Sequence, residues 1–271
     1  MRSSFRSENH PPLARSTGDM TFNRTGSWRY LRPVYQEKLA PCRNSCPAGT
    51  DLPRVLRLIG EEKFEEAYRT IRRENPLSGV CGHVCYHPCE TLCSRSQLDG
   101  GISVQALERF VSDMHGHLPV EKPEVLRRES IAIIGSGPAG LSCAYYLAQQ
   151  GFRVHIYEAA EKPGGMLRIG IPKYRMPRKV LDREIQHILD LGVELTCNCR
   201  IGRDISLQEL LDKHDAVFIA TGAHRSRTIG LGTSPEGPIW SGLRFLDRVN
   251  QETDPDIGRK AVIIGGGLSL I

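Results

Sequence analysis

The feature that most constrains the fold is an apolar strand that runs directly into a glycine-rich turn and a helix. Residues 131–140 read Ile-Ala-Ile-Ile-Gly-Ser-Gly-Pro-Ala-Gly, and the pattern that follows predicts a helix over 141–149. A second strand is predicted over 153–157, and Glu158 stands directly after it. Strand, glycine turn, helix, strand and acidic residue in this order predict a Rossmann-like unit that binds a dinucleotide.

Each glycine of the turn has its own physical task. Gly135 permits the tight turn, Gly137 lets the backbone approach a pyrophosphate, and Gly140 lets helix and strand pack closely. The amino end of the helix faces the phosphates, and Glu158 can accept hydrogen bonds from ribose hydroxyls. The other turn residues predicted to contact the cofactor are Ser136, Pro138 and Ala139. The alternative is a glycine-rich turn in an unrelated α/β protein.

The residues after this unit favour FAD over NAD as its ligand. Gly164-Gly165-Met166 resembles the Gly-Gly step of flavoproteins that have two dinucleotide domains. Residues 216–223, AVFIATGA, resemble the strand and Ala-Thr-Gly turn of the same proteins. Residues 261–264 then predict a second strand that leads to Gly265 and Gly267. We therefore expect an FAD domain that is followed by the start of an NAD(P)H domain.

The cysteines are concentrated near the start of the chain. Six of the nine are Cys42, Cys46, Cys81, Cys85, Cys89 and Cys93. The first 19 residues lack the apolar region of a secretory signal, which disfavours a disulfide framework. Zinc sites usually use Cys-x2-Cys knuckles, whereas each local step here is four residues and Pro47 follows Cys46. This pattern favours an iron–sulfur cluster, with zinc or unligated cysteine as alternatives.

A helical segment is predicted to bring these cysteines together. Asp51 can cap a helix that opens with Leu52-Pro53, and a helix over 104–114 carries Glu108. Gly82 and Pro88 interrupt the second cysteine group, so loops or single turns are expected there rather than one long helix.

Charge and hydropathy exclude other classes of protein. The net charge of +5 comes from residues 1–46, which hold eight basic and three acidic residues. No nucleic-acid motif accompanies this basic segment, so nucleic acid is not an expected partner. No apolar stretch approaches the roughly 20 residues that a membrane-spanning helix needs, and a cytoplasmic location is expected.

These observations predict an α + α/β chain with four segments. They are a disordered basic arm over 1–24, a helical iron–sulfur domain over 25–125, an FAD-binding domain over 126–225 and the start of an NAD(P)H-binding domain over 226–271. Leu270 occupies the position where the second glycine turn needs a small residue, and the chain stops at Ile271. We therefore expect a C-terminally truncated and inactive fragment.

The whole pattern resembles the small (beta) subunit of NADPH-dependent glutamate synthase. The same module forms the N-terminal part of dihydropyrimidine dehydrogenase and part of electron-bifurcating transhydrogenases. Besides the glycine turn, the motifs that carry the resemblance are Cys42-Arg-Asn-Ser-Cys46-Pro-Ala-Gly, Asn75-Pro76-Leu77, Cys81-Gly-His-Val-Cys85-x3-Cys89-Glu90-x2-Cys93 and Gly164-Gly-x5-Ile171-Pro-x-Tyr-Arg175-x-Pro177.

The resemblance implies two [4Fe–4S] clusters. One would be held by Cys46, Cys85 and Cys89, with Glu108 as the carboxylate ligand. The other would use Cys42 and Cys93 with two upstream cysteines, but those positions fall near Val34 and Glu37. The residues that could complete this second site are Cys81, Glu37 and His87. One cluster is therefore expected, and the second is in question.

The resemblance also assigns the flavin contacts. It places the pyrophosphate on residues 135–140 and the adenosine ribose on Glu158. Gly165, Met166 and Arg175 would lie beside the cofactor, with a backbone contact near Ile201.

The expected activity follows from these parts. NAD(P)H would reduce the flavin by two electrons, and single electrons would leave through a cluster to a larger redox subunit. No acid, base or nucleophile of the protein is required, so no catalytic residue is predicted. The alternatives are transfer to ferredoxin, to a hydrogenase or to a pyrimidine-reducing partner, and a non-catalytic remnant.

Overall fold

A computed structural model of the chain describes residues 39–124, 126–226, 237–253, 255 and 257–265. The chain divides into two compact units, Met1–Lys38 and Leu39–Ile271, and all described residues belong to the second. The predicted arm over 1–24 and the positions of Val34 and Glu37 lie outside the described residues. Among the helices that are described, none is long and apolar enough to cross a membrane.

The first part of this unit is helical. Its elements are α1 (Pro41–Ser45), α2 (Leu52–Gly60), α3 (Phe64–Glu74), α4 (Ser78–Val84), α5 (Pro88–Thr91), a 3₁₀ turn (Ser94–Gln97) and α6 (Val104–His115). Helix α2 begins as predicted, because the Asp51 carboxylate accepts a hydrogen bond from the Arg54 N–H. The buried residues that join α2, α3 and α6 are Val55, Leu58, Ala67, Tyr68, Ile71 and Val111.

The cysteine-rich segment breaks where its sequence predicts. Helix α4 ends at Val84, and Cys85 is extended. His87 has a positive φ of 46°, and Pro88 opens the short helix α5. Proline is well tolerated only in the first turn of a helix, so the segment forms two short helices instead of one long helix.

The second part is a parallel α/β sheet. Its elements are β1 (Ser130–Ile134), α7 (Pro138–Gln149), β2 (Arg153–Tyr157), α8 (Met166–Ile169), α9 (Arg178–Asp190), β3 (Glu194–Thr196), α10 (Leu207–Lys213), β4 (Ala216–Ile219) and α11 (Gly242–Asn250). The strand order is β3-β2-β1-β4, and every neighbouring pair is parallel. This order confirms the predicted Rossmann-like unit after a helical domain.

The two faces of the sheet bury different residues. On one face, Ile133 and Ile156 pack against α7 and α9 together with Leu141, Leu181 and Ile188. On the other face, the packed residues are Ala132, Ile134, Tyr157, Cys199 and Leu210. The alternation along β1 therefore covers both faces, as a parallel sheet requires.

The predicted strand over 261–264 is not a strand in the described residues. Val262 is 89% exposed, and Ile263 and Ile264 are also exposed. A strand needs a partner for its backbone hydrogen bonds, and no described neighbour pairs with this segment. Gly265 has a φ of 107°, close to the 106° of Gly135. Gly267 and Leu270 lie outside the described residues.

Candidate functional site

The glycine turn after β1 is shaped by very close backbone contacts. A Cβ atom on Gly135 would lie 2.4 Å from the carbonyl oxygen of Ala220, which follows β4. A Cβ atom on Gly140 would lie 2.0 Å from the carbonyl oxygen of Gly135. Only glycine fits at these two positions, and the roles predicted for a tight turn and for close packing match this geometry.

Gly137 differs from its neighbours because it faces open space. It is the N-cap residue of α7, with Pro138 in the first turn, and a Cβ atom on it would meet no atom within 4 Å. On the other side, a Cβ atom on Gly165 would lie 2.8 Å from the Gly137 Cα atom. The Gly164-Gly165 turn therefore packs on the glycine loop. The free space at the amino end of α7 fits a pyrophosphate.

Glu158 lies at the end of β2 and is almost fully buried. One carboxylate oxygen accepts hydrogen bonds from the Ser136 N–H at 2.8 Å and from the Ser136 hydroxyl. The other oxygen accepts one from the Ala160 N–H at 2.8 Å. A carboxylate oxygen has two lone pairs, so Glu158 can orient the glycine loop and still accept a bond from a ribose hydroxyl.

The turn that contains Met166 is held by two arginines that the sequence did not single out. The Arg178 guanidinium donates to the carbonyl oxygens of Leu167 at 3.1 Å and Ile171 at 2.8 Å. Arg168 donates to the Pro163 carbonyl oxygen. A lone arginine in a helix carries no signal of such a role, because both acceptors are backbone groups. Arg175, predicted to contact the flavin, is exposed just before α9.

Ile201 is brought to the second face of the sheet. It forms an isolated bridge with Ile205 and packs against the buried group that includes Tyr157 and Cys199. The predicted backbone contact of Ile201 with the cofactor stays a prediction. Gly265, predicted to bind the pyridine nucleotide, has the required backbone conformation but no packed neighbour within 4 Å of a Cβ atom.

The structure gathers the predicted cluster ligands in the helical part. Cys89 is buried in a small apolar group with Leu52 and Val104, and Cys42 and Cys46 pack against this group. Electrostatic coupling links Cys46, Cys85 and Cys89 to one another. It also links Cys42 with both Cys93 and Cys46. The thiols therefore form one connected group, and their division into two ligand sets stays a prediction.

Burial favours the neutral form of three of these thiols, Cys42, Cys85 and Cys89. Burial raises the pKa of Cys89 to about 11, and the neighbouring Cys46, Glu90 and Cys85 raise it further. Burial also raises the pKa of Cys85 and that of Cys42. A metal ligand must be a thiolate, so binding iron would release protons from this site.

Glu108 faces the same site from α6. Burial raises the pKa of its carboxyl group to about 7, although the Asn75 amide donates a hydrogen bond to it at 3.1 Å. The Asn75 side-chain oxygen in turn accepts from the Cys81 thiol at 3.7 Å. Burial raises the pKa of Cys81 to about 12. Asn75 thus connects a candidate carboxylate ligand with a candidate thiol.

Gln105 is a further residue of the site that the sequence analysis did not identify. Its side-chain amide donates to the Cys85 carbonyl oxygen at 2.8 Å. Its backbone N–H donates to the Glu90 carboxylate at 2.8 Å. These two bonds tie the start of α6 to the loop that carries Cys85. No motif could have indicated them, since they join residues 15 and 20 positions apart.

The donor set fits a four-iron cluster. No three His, Cys, Asp or Glu side chains in the described part of the chain converge so as to hold a single metal ion. Thiolates are soft ligands that suit iron–sulfur clusters, and each thiolate of a four-iron cluster binds a different iron atom. Cys46, Cys85, Cys89 and Glu108 offer three soft ligands and one carboxylate from four different segments.

Two known families match the chain in sequence. The family described as dihydropyrimidine dehydrogenase domain II, 4Fe-4S cluster, matches residues 34–118. The family described as pyridine nucleotide-disulphide oxidoreductase matches residues 129–269. These two matches confirm the predicted cofactors, a [4Fe–4S] cluster, FAD and a pyridine nucleotide.

Three curated relatives illustrate the similarity. The NADPH-Fe(3+) oxidoreductase subunit beta of Geobacter sulfurreducens is 43% identical over 240 residues, covering 86% of this chain and 36% of the relative. The NAD-dependent dihydropyrimidine dehydrogenase subunit PreT of Escherichia coli is 39% identical over 233 residues, covering 84% of this chain and 56% of the relative. The glutamate synthase [NADPH] small chain of Azospirillum brasilense is 33% identical over 244 residues, covering 83% and 51%.

The chain spans between about a third and just over half of the length of these relatives. The pyridine nucleotide-disulphide oxidoreductase family matches residues 129–269, which make up just over half of this chain. The two family matches follow each other in the same order as the two parts of the fold. The first covers the cysteine-rich helical part, and the second covers the parallel sheet with its glycine turn. The chain therefore belongs to the pyridine nucleotide-disulphide oxidoreductases and carries an N-terminal domain of the dihydropyrimidine dehydrogenase domain II type.

Proposed function

We propose that this protein is the electron-input subunit of a larger redox enzyme. It oxidises NAD(P)H through FAD and passes single electrons through a [4Fe–4S] cluster to a partner subunit. The observation that carries the proposal is that the thiol set Cys46, Cys85 and Cys89 and the glycine turn over 135–140 belong to one compact unit. The Geobacter, Escherichia and Azospirillum relatives are each named as subunits or chains of NADPH- or NAD-dependent enzymes.

The residues of the chain bind and orient. The amino end of α7 and Gly137 offer N–H groups and space to the pyrophosphate, and Glu158 offers its carboxylate to the ribose. Cys46, Cys85 and Cys89 offer thiolates to the cluster. When bound, flavin supplies two-electron chemistry that a one-electron cluster cannot perform. The protein needs no nucleophile or general base for this exchange.

Among partners, a subunit that resembles the glutamate synthase large subunit is our first candidate. It is supported by the motif from Gly164 to Pro177, on which the resemblance was based. A second candidate is another acceptor, such as ferredoxin, a hydrogenase or a pyrimidine-reducing subunit. It is supported by the absence of cysteine at positions 34 and 37, which alters the route that electrons would take. Activity of this kind belongs to the whole protein, and a non-catalytic chain remains the third alternative.

The test is a cofactor analysis followed by an acceptor screen. Protein purified without oxygen should contain iron and acid-labile sulfide in equal amounts and should show flavin absorbance. NADPH and NADH should then each be tried with 2-oxoglutarate plus glutamine, ferredoxin, ferric iron and uracil in the presence of co-purified subunits. Zinc in place of iron would refute the cluster, and NAD(P)H-dependent reduction of a dye would refute the non-catalytic alternative.

A further inference from the structure

Glu184 is a buried carboxylate that none of the cofactor contacts uses. It lies on α9, and only 1% of the residue is exposed. Its two oxygens accept hydrogen bonds from the Gly79 N–H at 2.6 Å and the Val80 N–H at 3.1 Å. The Ser78 hydroxyl is a third donor at 3.3 Å. All three donors belong to the first turn of α4, although they lie 104 to 106 residues away in the chain.

This carboxylate replaces the cap that α4 lacks in its own sequence. The residue before α4 is Leu77, which has no side-chain acceptor, and the first N–H groups of a helix have no partner within the helix. Burial raises the pKa of Glu184, whereas the hydrogen bonds from Gly79 and Val80 lower it, as do the charges of Arg72 and Arg183. Removing the acceptor would leave buried N–H groups unpaired, which is costly.

Helix α4 carries part of the cluster site and has little room to move. Cys81 lies within it, and Cys85 follows its last residue. A Cβ atom on Gly79 would lie 3.0 Å from both Glu184 Oε1 and Val180 Cγ1 on α9. A Cβ atom on Gly82 would lie 2.8 Å from the Arg109 Cα atom on α6. Helix α4 is thus held between α9 on one side and the helix that bears Glu108 on the other.

The same helix α9 also holds the turn over residues 163–171 that contains Met166, which we call the flavin turn. A Cβ atom on Gly164 would lie 3.0 Å from Leu181 Cδ2. Asp182 forms an ion pair with Arg168, which also donates to the backbone of this turn. Arg178 donates to the carbonyl oxygens of Leu167 in α8 and of Ile171 just after it. Consecutive residues of one helix therefore contact the flavin turn and the cluster-bearing helix.

We propose that α9 is the spacer that sets the separation of flavin and cluster, and that Glu184 is the positioning residue that fixes the cluster-bearing helix to it. The inference rests on the proposed function. One electron would leave the reduced flavin and the oxidised cluster would gain it, while Glu184 exchanges neither electron nor proton. The rate of electron transfer between two fixed centres falls steeply as the distance between them grows. A small displacement of α4 would therefore slow the transfer.

The central experiment uses Glu184→Gln in the full-length protein loaded with flavin and cluster, without oxygen. A glutamine side chain keeps the shape but presents an amide N–H2 where an N–H donor of α4 already points. We expect NADPH to reduce the flavin at the wild-type rate, and dithionite to produce the wild-type electron paramagnetic resonance signal of the cluster. Reduction of the cluster by NADPH, followed by freeze-quenching, should be slower by on the order of tenfold.

Two further variants separate positioning from a general loss of structure. Glu184→Asp keeps a carboxylate and should recover part of the transfer rate. Asp190→Asn changes an acid at the exposed end of the same helix, where Asp190 accepts a hydrogen bond from Gln186. This control should leave all three measurements unchanged.

Each outcome bears on the inference. Wild-type transfer in Glu184→Gln would overturn it. Loss of the dithionite-reducible signal in proportion to the slower transfer would also overturn it, because Glu184 would then only stabilise the cluster. If Glu184→Gln does not fold, Ser78→Ala, which removes one donor, should slow transfer by a smaller factor. A wild-type protein whose flavin is reduced but whose cluster is not would instead refute the proposed function itself.

Discussion

The glycine turn and the cysteine site solve the problem of holding a cofactor in opposite ways. The turn is one stretch of sequence, residues 135–140, and its shape is set by backbone atoms at contact distance around Gly135 and Gly140, including the Ala220 carbonyl oxygen. The cysteine site collects side chains from α1, the loop after α4, α5 and α6, and burial raises the pKa values of its Cys42, Cys85 and Cys89 thiols. The first site is complete before its ligand arrives, whereas the second becomes charged only when metal displaces protons.

This contrast predicts that substitutions should act on different quantities in the two regions. In the glycine turn, a change of side-chain volume should alter the stability of the fold. In the cysteine site, a change of one donor should alter metal content and leave the fold of the sheet intact.

The largest effect is expected from Gly140→Ala. Its Cβ atom would overlap the carbonyl oxygen of Gly135, so the free energy of unfolding should fall by about 3 kcal/mol. The matched control is Gly137→Ala, whose Cβ atom meets no protein atom within 4 Å. It should cost less than about 1 kcal/mol but block the approach of the pyrophosphate. Urea unfolding and flavin titration distinguish the two, and equal stability losses would contradict the contrast.

The next effect concerns iron. Cys85→Ser removes one thiolate from the set with Cys46 and Cys89, and affinity for the cluster should fall by on the order of a hundredfold. Cys143→Ser, a half-buried thiol on α7, is the matched control and should retain full iron. The measurement is the amount of iron and of acid-labile sulfide per polypeptide after anaerobic reconstitution of each variant. Retention of a full cluster by the Cys85 variant would remove this residue from the ligand set.

A smaller effect is expected at the ribose position. Glu158→Gln removes the charge that accepts from the Ser136 N–H and hydroxyl, and FAD should bind about tenfold more weakly. Glu161→Gln, an exposed acid in the following loop, should bind FAD as the wild type does. Fluorescence titration of the apoprotein measures both, and unchanged affinity in Glu158→Gln would argue against a ribose contact.

The smallest effect is a pH dependence at the contact between the two regions. Burial, Arg72 and Arg183 lower the pKa of His187 from 6.5 to about 4, and Asp190 partly opposes them. Between pH 6.5 and 4 the unfolded chain therefore binds a proton that the folded chain excludes, so the free energy of unfolding falls as pH falls through this range.

His187→Gln should flatten this slope. Exposed His117→Gln should leave it as it is in the wild type. Urea unfolding at pH 7 and pH 5 provides the comparison. The slope is read as a difference between variants because Glu184, whose pKa is raised by burial, contributes with the opposite sign. An unchanged slope in His187→Gln would show that this histidine is not the group that titrates.

The parts of the fold that depend on neighbouring residues were predictable from the sequence. The limits of β2 match those predicted, Asp51 caps α2, and the cysteine run breaks before Pro88. Each of these features follows from local chemistry: alternation of apolar residues, an acceptor beside free N–H groups, and a proline that cannot continue a helix.

The contacts that depend on the whole fold were not predictable. Glu184 reads as an ordinary helix residue, and its partners are backbone N–H groups in a distant segment. The same holds for Arg178, which binds carbonyl groups. The apolar run over 261–264 fits a strand, but no neighbouring strand in the described residues forms backbone hydrogen bonds with it. Sequence patterns indicate which residues can form hydrogen bonds or pack, whereas the partner of each residue depends on the tertiary structure.

The two glycines of α4, Gly79 and Gly82, have a practical consequence for protein engineering. Gly79 allows α9 to approach so closely that it covers this face of the cysteine-rich segment, whereas Gly82 faces α6 of the same segment. A graft of residues 39–124 onto another flavoprotein would leave that surface bare. A segment that can be transferred to another protein would have to include the part of α9 around Val180 and Glu184. This segment is therefore longer than the region that contains the cysteines.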